Sequence, residues 1–255
     1  VKVDGNVTAV GQETLKDNTG IHNTGVGYRA MFNSSLSGSF NVALGNYNLY
    51  ANTSGASNTA LGYQSLFSNT TASNNTAVGY KAGYANTTGT LTATGRTALE
   101  NNTTGVDNTA TGRATMSQNT TGGYNTAVGA LALLLNTTAS NNTAVGYNAL
   151  ASDTKGSLST AIGTGSLQSQ NFTSNTTTYN TAVGGYAGGN VTTGINNTFI
   201  GGLAGNNTTT ASNNTAVGYN ALTSNTTGSE NAGLSDSTLQ LNTTGNYNSA
   251  AGRGA

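Results

Sequence analysis

The sequence predicts an all-β protein: a parallel β-solenoid (a β-roll or β-helix) of about fifteen 17-residue coils, forming one repeat domain over residues 1–255. Three observations predict it. A glycine-anchored motif recurs along the whole chain. Each copy offers a core only one Val or Ile and one Leu, too few for an amphipathic helix. The composition is rich in turn and ladder formers and poor in charge, with 36 Gly, no Pro, no Cys and 6% charged residues.

The repeat is read from the glycine of Thr-Ala-Val-Gly, taken as position zero. It stands at Gly11, Gly27, Gly45, Gly62, Gly79, Gly95, Gly112, Gly129, Gly146, Gly163, Gly184, Gly201, Gly218 and Gly252, with Ser235 in the remaining slot. Ten of the fourteen spacings are 17 residues; the others are 16, 16, 18 and 21. Such a unit is too short for a helix pair or a propeller blade. Thr, Asn and Gly disfavour helix and suit short strands broken by turns.

Each column has its own chemistry. Position −4 is Asn in twelve of fifteen copies and suits an amide ladder along the axis. Positions −3 and −2 are Thr and Ala, each in twelve copies, and −1 is Val, Ile or Leu in twelve. Gly at zero permits a backbone conformation that a Cβ resists. Position +3 is small and +4 is Leu or Met in eleven copies. N-T-T follows near +7 to +9. The expectation is that Val −1 and Leu +4 form two inward apolar spines. Alternation then turns Ala −2 and Ala +3 outward, as smooth faces for lateral packing. With coils about 4.8 Å apart, fifteen make a rod of roughly 70 Å. Burying one Val and one Leu gives roughly 3–6 kcal/mol per coil, less than ordering the coil costs. Backbone ladders and self-association, as a trimer, are therefore expected to assist.

The segments Asn58–Thr71 (NTALGYQSLFSNTT) and Asn213–Gly228 (NNTAVGYNALTSNTTG) resemble shaft repeats of phage tail-fibre-type proteins. They are also similar to head repeats of trimeric autotransporter adhesins. The resemblance implies parallel β-rolls, usually of three chains, in extracellular or virion fibres that present adhesive tips to a cell-surface or glycan receptor. The adhesin repeat is shorter than 17 residues, and no coiled-coil stalk or membrane anchor is visible. Neither end reads as a polar cap, so head-to-tail stacking into a filament is a second expected mode of assembly.

Function is therefore expected to be structural: a fibre shaft or filament subunit, extracellular, at a cell surface or on a virion. Eight Lys and Arg against eight acids form no phosphate-binding face, so no nucleic-acid partner is expected. No apolar run is long enough to span a membrane. No enzyme activity, metal or cofactor is expected: the single His22 has no nominated partner, and the acids form no recurrent pair. The Gly-rich stretches Gly184–Asn190 and Gly201–Asn207 lack the lysine and helix of a phosphate loop and read as thinner coils. The 21-residue spacing places an insertion in Ser169–Tyr179, read as a surface loop.

N-x-S/T sequons nominate Asn52, Asn69, Asn86, Asn102, Asn119, Asn136, Asn225 and Asn242 as glycan acceptors. The same Asn-Thr-Thr also suits turns and ladders, so the repeat copies the sequon without needing the glycan. The alternative function is ice binding by Thr ladders at −3, +8 and +9. Against it, no outward T-x-T pair is repeated, and adjacent Thr at +8 and +9 point to opposite faces.

Overall fold

The computed structural model describes residues 2–4, 7–33 and 35–255, and nothing of the side chains of residues 2–4. The described chain is all-β, without a helix: a parallel β-solenoid of about 14 turns with roughly 17-residue spacing. Two compact units are distinguishable, Val1–Tyr124 and Asn125–Ala255.

The first unit carries β1 (Lys2–Asp4), β2 (Val7–Val10), β3 (Asn23–Val26), β4 (Val42–Leu44), β5 (Thr59–Leu61), β6 (Thr76–Val78), β7 (Leu91–Thr94) and β8 (Asn108–Thr111). Strands β2 to β8 pair in sequence order, all parallel. Like columns face one another, as in Thr59↔Thr76 and Ala60↔Ala77. β1 is the exception. It runs antiparallel to β2 with Lys2 opposite Ala9, so it occupies the β2 edge on which a further coil would stack.

The second unit carries β9 (Thr126–Val128), β10 (Thr143–Val145), β11 (Gly156–Ser157), β12 (Thr160–Ile162), β13 (Thr176–Thr177), β14 (Thr181–Val183), β15 (Thr198–Ile200), β16 (Thr215–Val217), β17 (Ala232–Leu234) and β18 (Ser249–Ala251). The main ladder is parallel from β9 to β18. β11 and β13 pair separately. That pair stitches the insertion to the preceding coil. Gln170, Phe172 and Thr178 are buried, and only its tip at Thr173–Asn175 is exposed throughout. The insertion is therefore an anchored coil with an exposed tip rather than a free loop.

The packing inverts the expected strand faces. Ala −2 is fully buried at Ala43, Ala60, Ala77, Ala144 and Ala216, while Val −1 faces out, as at Val128 and Ile162. The reason is parity. Positions −4 and −2 share one face of a strand and −3 and −1 the other. The Asn at −4 is buried in every coil where it occurs except Asn248, so Ala goes in with it and Val goes out. Among the described residues the alanines at −2 and +3 line the core, except in the last coil, so the outward alanine faces expected to pack against other chains are not formed.

The turn after the strand breaks the alternation. Gly62 has φ +127°, and a Cβ there would meet the backbone carbon of Gly79 in the next coil at 2.7 Å. Positive φ returns at Gln64 and Leu66. This alternation lets consecutive residues, Ala98 with Leu99 and Ala149 with Leu150, both turn into the core. Leu at φ near +50° is sterically costly. Burial of the side chain opposes that cost with roughly 1.5–3 kcal/mol.

Two asparagine ladders run through the first unit; in the second, Asp153, Gln170, Val191 and Thr208 interrupt the one at +7. At −4, Oδ1 accepts the backbone N–H of the next coil, from Asn23 to Asn41 at 2.8 Å, Asn41 to Asn58 at 2.9 Å and Asn58 to Asn75 at 3.0 Å. The same residue's Nδ2 donates across the coil, from Asn58 to the Ala72 carbonyl at 2.9 Å. At +7, Nδ2 of Asn69, Asn86 and Asn102 donates to Oδ1 of the preceding rung at 3.2, 3.0 and 3.0 Å. These buried amides are thus satisfied by the stack itself.

The core is size-compensated where the repeat varies. Phe199 stands at −2 where Ala is usual and is fully buried. The +4 positions beside it are Gly188 and Gly205 in place of Leu. A Cβ on Gly188 would meet Phe199 Cδ2 at 2.8 Å, and one on Gly205 would also run into the Phe199 ring. The Phe199 ring occupies core space beside both glycines that Leu side chains enter in other coils.

Candidate functional site

The strand ladder presents its outward face through the −3 and −1 columns. In the second unit the register places Thr143, Thr160, Thr181, Thr198 and Thr215 in one file. Val145, Ile162, Val183, Ile200 and Val217 form a second file beside it. In the first unit the files include Thr59, Thr76, Thr92 and Thr109 beside Leu61, Val78, Thr94 and Thr111. The expectation that no outward T-x-T pair is repeated needs correction. The pair occurs in both β7 and β8. T-x-V, T-x-I or T-x-L stands in most other strands of the main ladder, while β4, β17 and β18 carry Val42, Ala232 and Ser249 at −3. The residues were visible in sequence, but their outward direction was not, because Val had been turned inward.

The two kinds of Thr column differ chemically. At +8, Thr70 Oγ1 donates to the Thr87 carbonyl at 3.1 Å, and Thr87 to the Thr103 carbonyl at 3.0 Å. Those hydroxyls are engaged by the stack. The −3 hydroxyls of Thr59, Thr76, Thr92, Thr160 and Thr198 make no hydrogen bond to protein among the described residues. They project into solvent beside exposed aliphatic side chains: Leu61 is 42% exposed, Val128 40% and Ile200 40%.

An aromatic edge lies elsewhere on the first unit. Phe32, Tyr50, Phe67 and Tyr84 stack in file at centroid distances of 5.4, 4.9 and 5.1 Å. Tyr63 and Tyr80 stack at 5.7 Å in a neighbouring file. Lys16 lies over Phe32, and Lys81 over Tyr84 at 5.1 Å. Lys81 also approaches Glu100 at 3.7 Å. The ring faces are occupied by one another and by these cations, so the edge offers ring rims rather than open faces.

The sequon asparagines are placed by the +7 ladder. Asn52, Asn69, Asn86, Asn102, Asn119, Asn136 and Asn225 are fully buried, with Nδ2 donating to a backbone carbonyl three residues on. Asn242 is half-buried and donates to Asn225 Oδ1 and the Gly245 carbonyl. A glycan on Nδ2 of the seven buried residues would lie inside the coil and remove a ladder donor. The folded solenoid has no room for it, which corrects the glycan-acceptor expectation there.

Among the described residues, one ionisable side chain is buried. Asp153 takes the +7 slot in the coil before the insertion, with no exposed surface. Burial pushes its carboxyl above the usual carboxylate range, against hydrogen bonds that favour the charged form. Its Oδ2 accepts from Gln170 Nε2 at 2.6 Å, and its Oδ1 from the Gly156 N–H at 3.0 Å. Gln170 Nε2 also reaches Ser159 Oγ at 2.9 Å, and its Oε1 accepts from Asn180 at 2.8 Å. The group is an internal tie, closed to substrate. His22 stacks on Phe40 at 5.1 Å. No group of three or more His, Cys, Asp or Glu among the described residues is placed to hold a metal ion, and no helix is long and apolar enough to cross a membrane.

Comparison with protein-family models, with curated proteins and with solved structures gives no match to this chain.

Proposed function

We propose that the chain is a structural element of a fibre or filament, a shaft built from stacked coils. The observation that carries this reading is where the polar groups go. Coil-to-coil ladders of Asn, Thr and backbone engage buried polar groups, and no group of three or more His, Cys, Asp or Glu placed to hold a metal ion accompanies them among the described residues. A repeat whose units bond mainly to their neighbours suits extension and load. The resemblance of the repeats to fibre shafts supports an extracellular or virion setting and an adhesive role toward a cell-surface or glycan receptor.

The alanine columns lie in the core, so lateral contact between copies falls to another surface. The aromatic edge of the first unit, rich in Tyr and bearing Arg29 and Lys81, has the composition of an interface. β1 on the β2 edge disfavours direct coil-on-coil addition there. Electron microscopy of purified material with mass-per-length measurement tests the reading. Uniform fibres whose mass per length equals several solenoids in cross-section are expected. Discrete monomeric particles that persist at high concentration would overturn it.

A further inference from the structure

We infer that the outward Thr/Val face of the strand ladder binds ice. This goes beyond the fibre reading and rests on different observations. The first is the free hydroxyl. Each Thr at −3 turns its side chain away from the core, and its hydroxyl forms no hydrogen bond to protein, so its packing does not require Thr. The second is the substitution pattern among the copies. Thirty outward strand positions at −3 and −1 contain no charged residue and no Asn or Gln. Where the aliphatic residue is lost at −1 it becomes Thr in β7 and β8. The +2 column, by contrast, accepts Glu13, Arg29 and Lys81, and the −5 column accepts Asp107 and Glu230. A merely solvated face would show the same tolerance.

The third observation is order. Like residues sit directly opposite in successive strands, with Thr198 facing Thr215 and Ile200 facing Val217. Hydroxyls and methyls therefore repeat about every 4.8 Å along the ladder. Across the strand the two files are two residues apart, about 6.6–6.8 Å. This is a two-dimensional array of one hydrogen-bonding group and flanking methyls, with no formal charge to reorient neighbouring water. Its chemistry matches a neutral, periodic partner, the surface of an ice crystal: the hydroxyls enter the water lattice and the methyls hold water in ordered cages between them. A protein partner fits less well, because a dry interface would have to find new partners for a whole file of hydroxyls.

Of the Thr columns at −3, +8 and +9 that the sequence suggested, −3 lies on this face and +8 does not. The +8 hydroxyls donate into the stack, as Thr209 does to the Thr226 carbonyl at 3.1 Å, and so are poorly placed to organise water.

The test is thermal hysteresis and ice-recrystallisation inhibition by the full chain, with two double variants. Thr198→Lys with Thr215→Lys places two charges on the proposed face. Thr193→Lys with Thr210→Lys places two on the exposed +9 column as a control. Circular dichroism melting checks that each variant folds, and sedimentation velocity reports the oligomeric state. The expected result is ice activity in the parent chain, its loss in the face variant and its retention in the control. Absence of activity in the folded parent would overturn the inference. Equal loss in both variants would do so too. An ice-inactive parent whose oligomer dissociates only in the face variant would identify the face as a contact between copies instead.

Discussion

Replacing Asn69 by Ala should remove far more stability than one hydrogen bond is worth. Asn69 is fully buried. Its Nδ2 donates to Asn52 Oδ1 at 3.2 Å and to the Ala72 carbonyl at 3.0 Å. Its Oδ1 accepts from Asn86 Nδ2 at 3.0 Å. Alanine orphans Asn52 Oδ1 and takes one of two partners from the Ala72 carbonyl and from Asn86 Nδ2, which keep Asn58 Nδ2 and the Gly89 carbonyl. The orphan costs about 1–3 kcal/mol and each further lost bond about 0.5–1.5 kcal/mol, so a loss of about 2–6 kcal/mol is expected. A typical domain has about 5–15 kcal/mol in total. Because solenoid coils need not unfold together, native-state hydrogen exchange should accompany urea unfolding. The backbone N–H groups of Thr70 and Thr87, bonded to the carbonyls of Thr87 and Thr103, should lose protection first. Asn190→Ala, which removes only an exposed bond to Asn207, is the control and should shift stability by about 0.5 kcal/mol or less. A loss at Asn69 of less than about 1 kcal/mol would refute the view that the ladder is a principal source of stability.

Three further outcomes follow from the geometry. Asp153 has a folded-state pKa raised by burial, so its contribution to stability is full below the ordinary carboxylate value. That contribution falls as pH rises towards the raised value and levels off above it; Asp153→Asn should remove this component of the pH slope in titrated urea unfolding. Phe199→Ala should cost about 3–5 kcal/mol, and adding Gly188→Leu with Gly205→Leu should recover much of it. The same two leucines beside Phe199 should instead destabilise, and additive effects across this cycle would contradict size compensation. Ser235 holds φ +127° in the slot otherwise filled by glycine, so Ser235→Gly should raise the melting temperature, corresponding to about 1–3 kcal/mol of relieved strain.

The repeat, the absence of helix, the coil length and the stacking of like columns were legible in the sequence, because a 17-residue period of single apolar residues and turn formers admits little else. The asparagine ladder at −4 was legible too. The faces were not. Ala and Val are both apolar, and nothing in Thr-Ala-Val says which enters the core. The buried amide of Asn at −4 settles it through strand parity, which is visible only once the ladder bonds are seen. The positive φ at Leu66 and its equivalents is likewise invisible to propensity, since isolated Leu avoids that region. It follows from the need to turn both Ala +3 and Leu +4 into one thin core. Sequence thus determined the period and the ladders. Tertiary structure alone decided that the sequon amides lie inside and that a file of free threonine hydroxyls lies outside, because both depend on which side of a three-residue strand the core occupies.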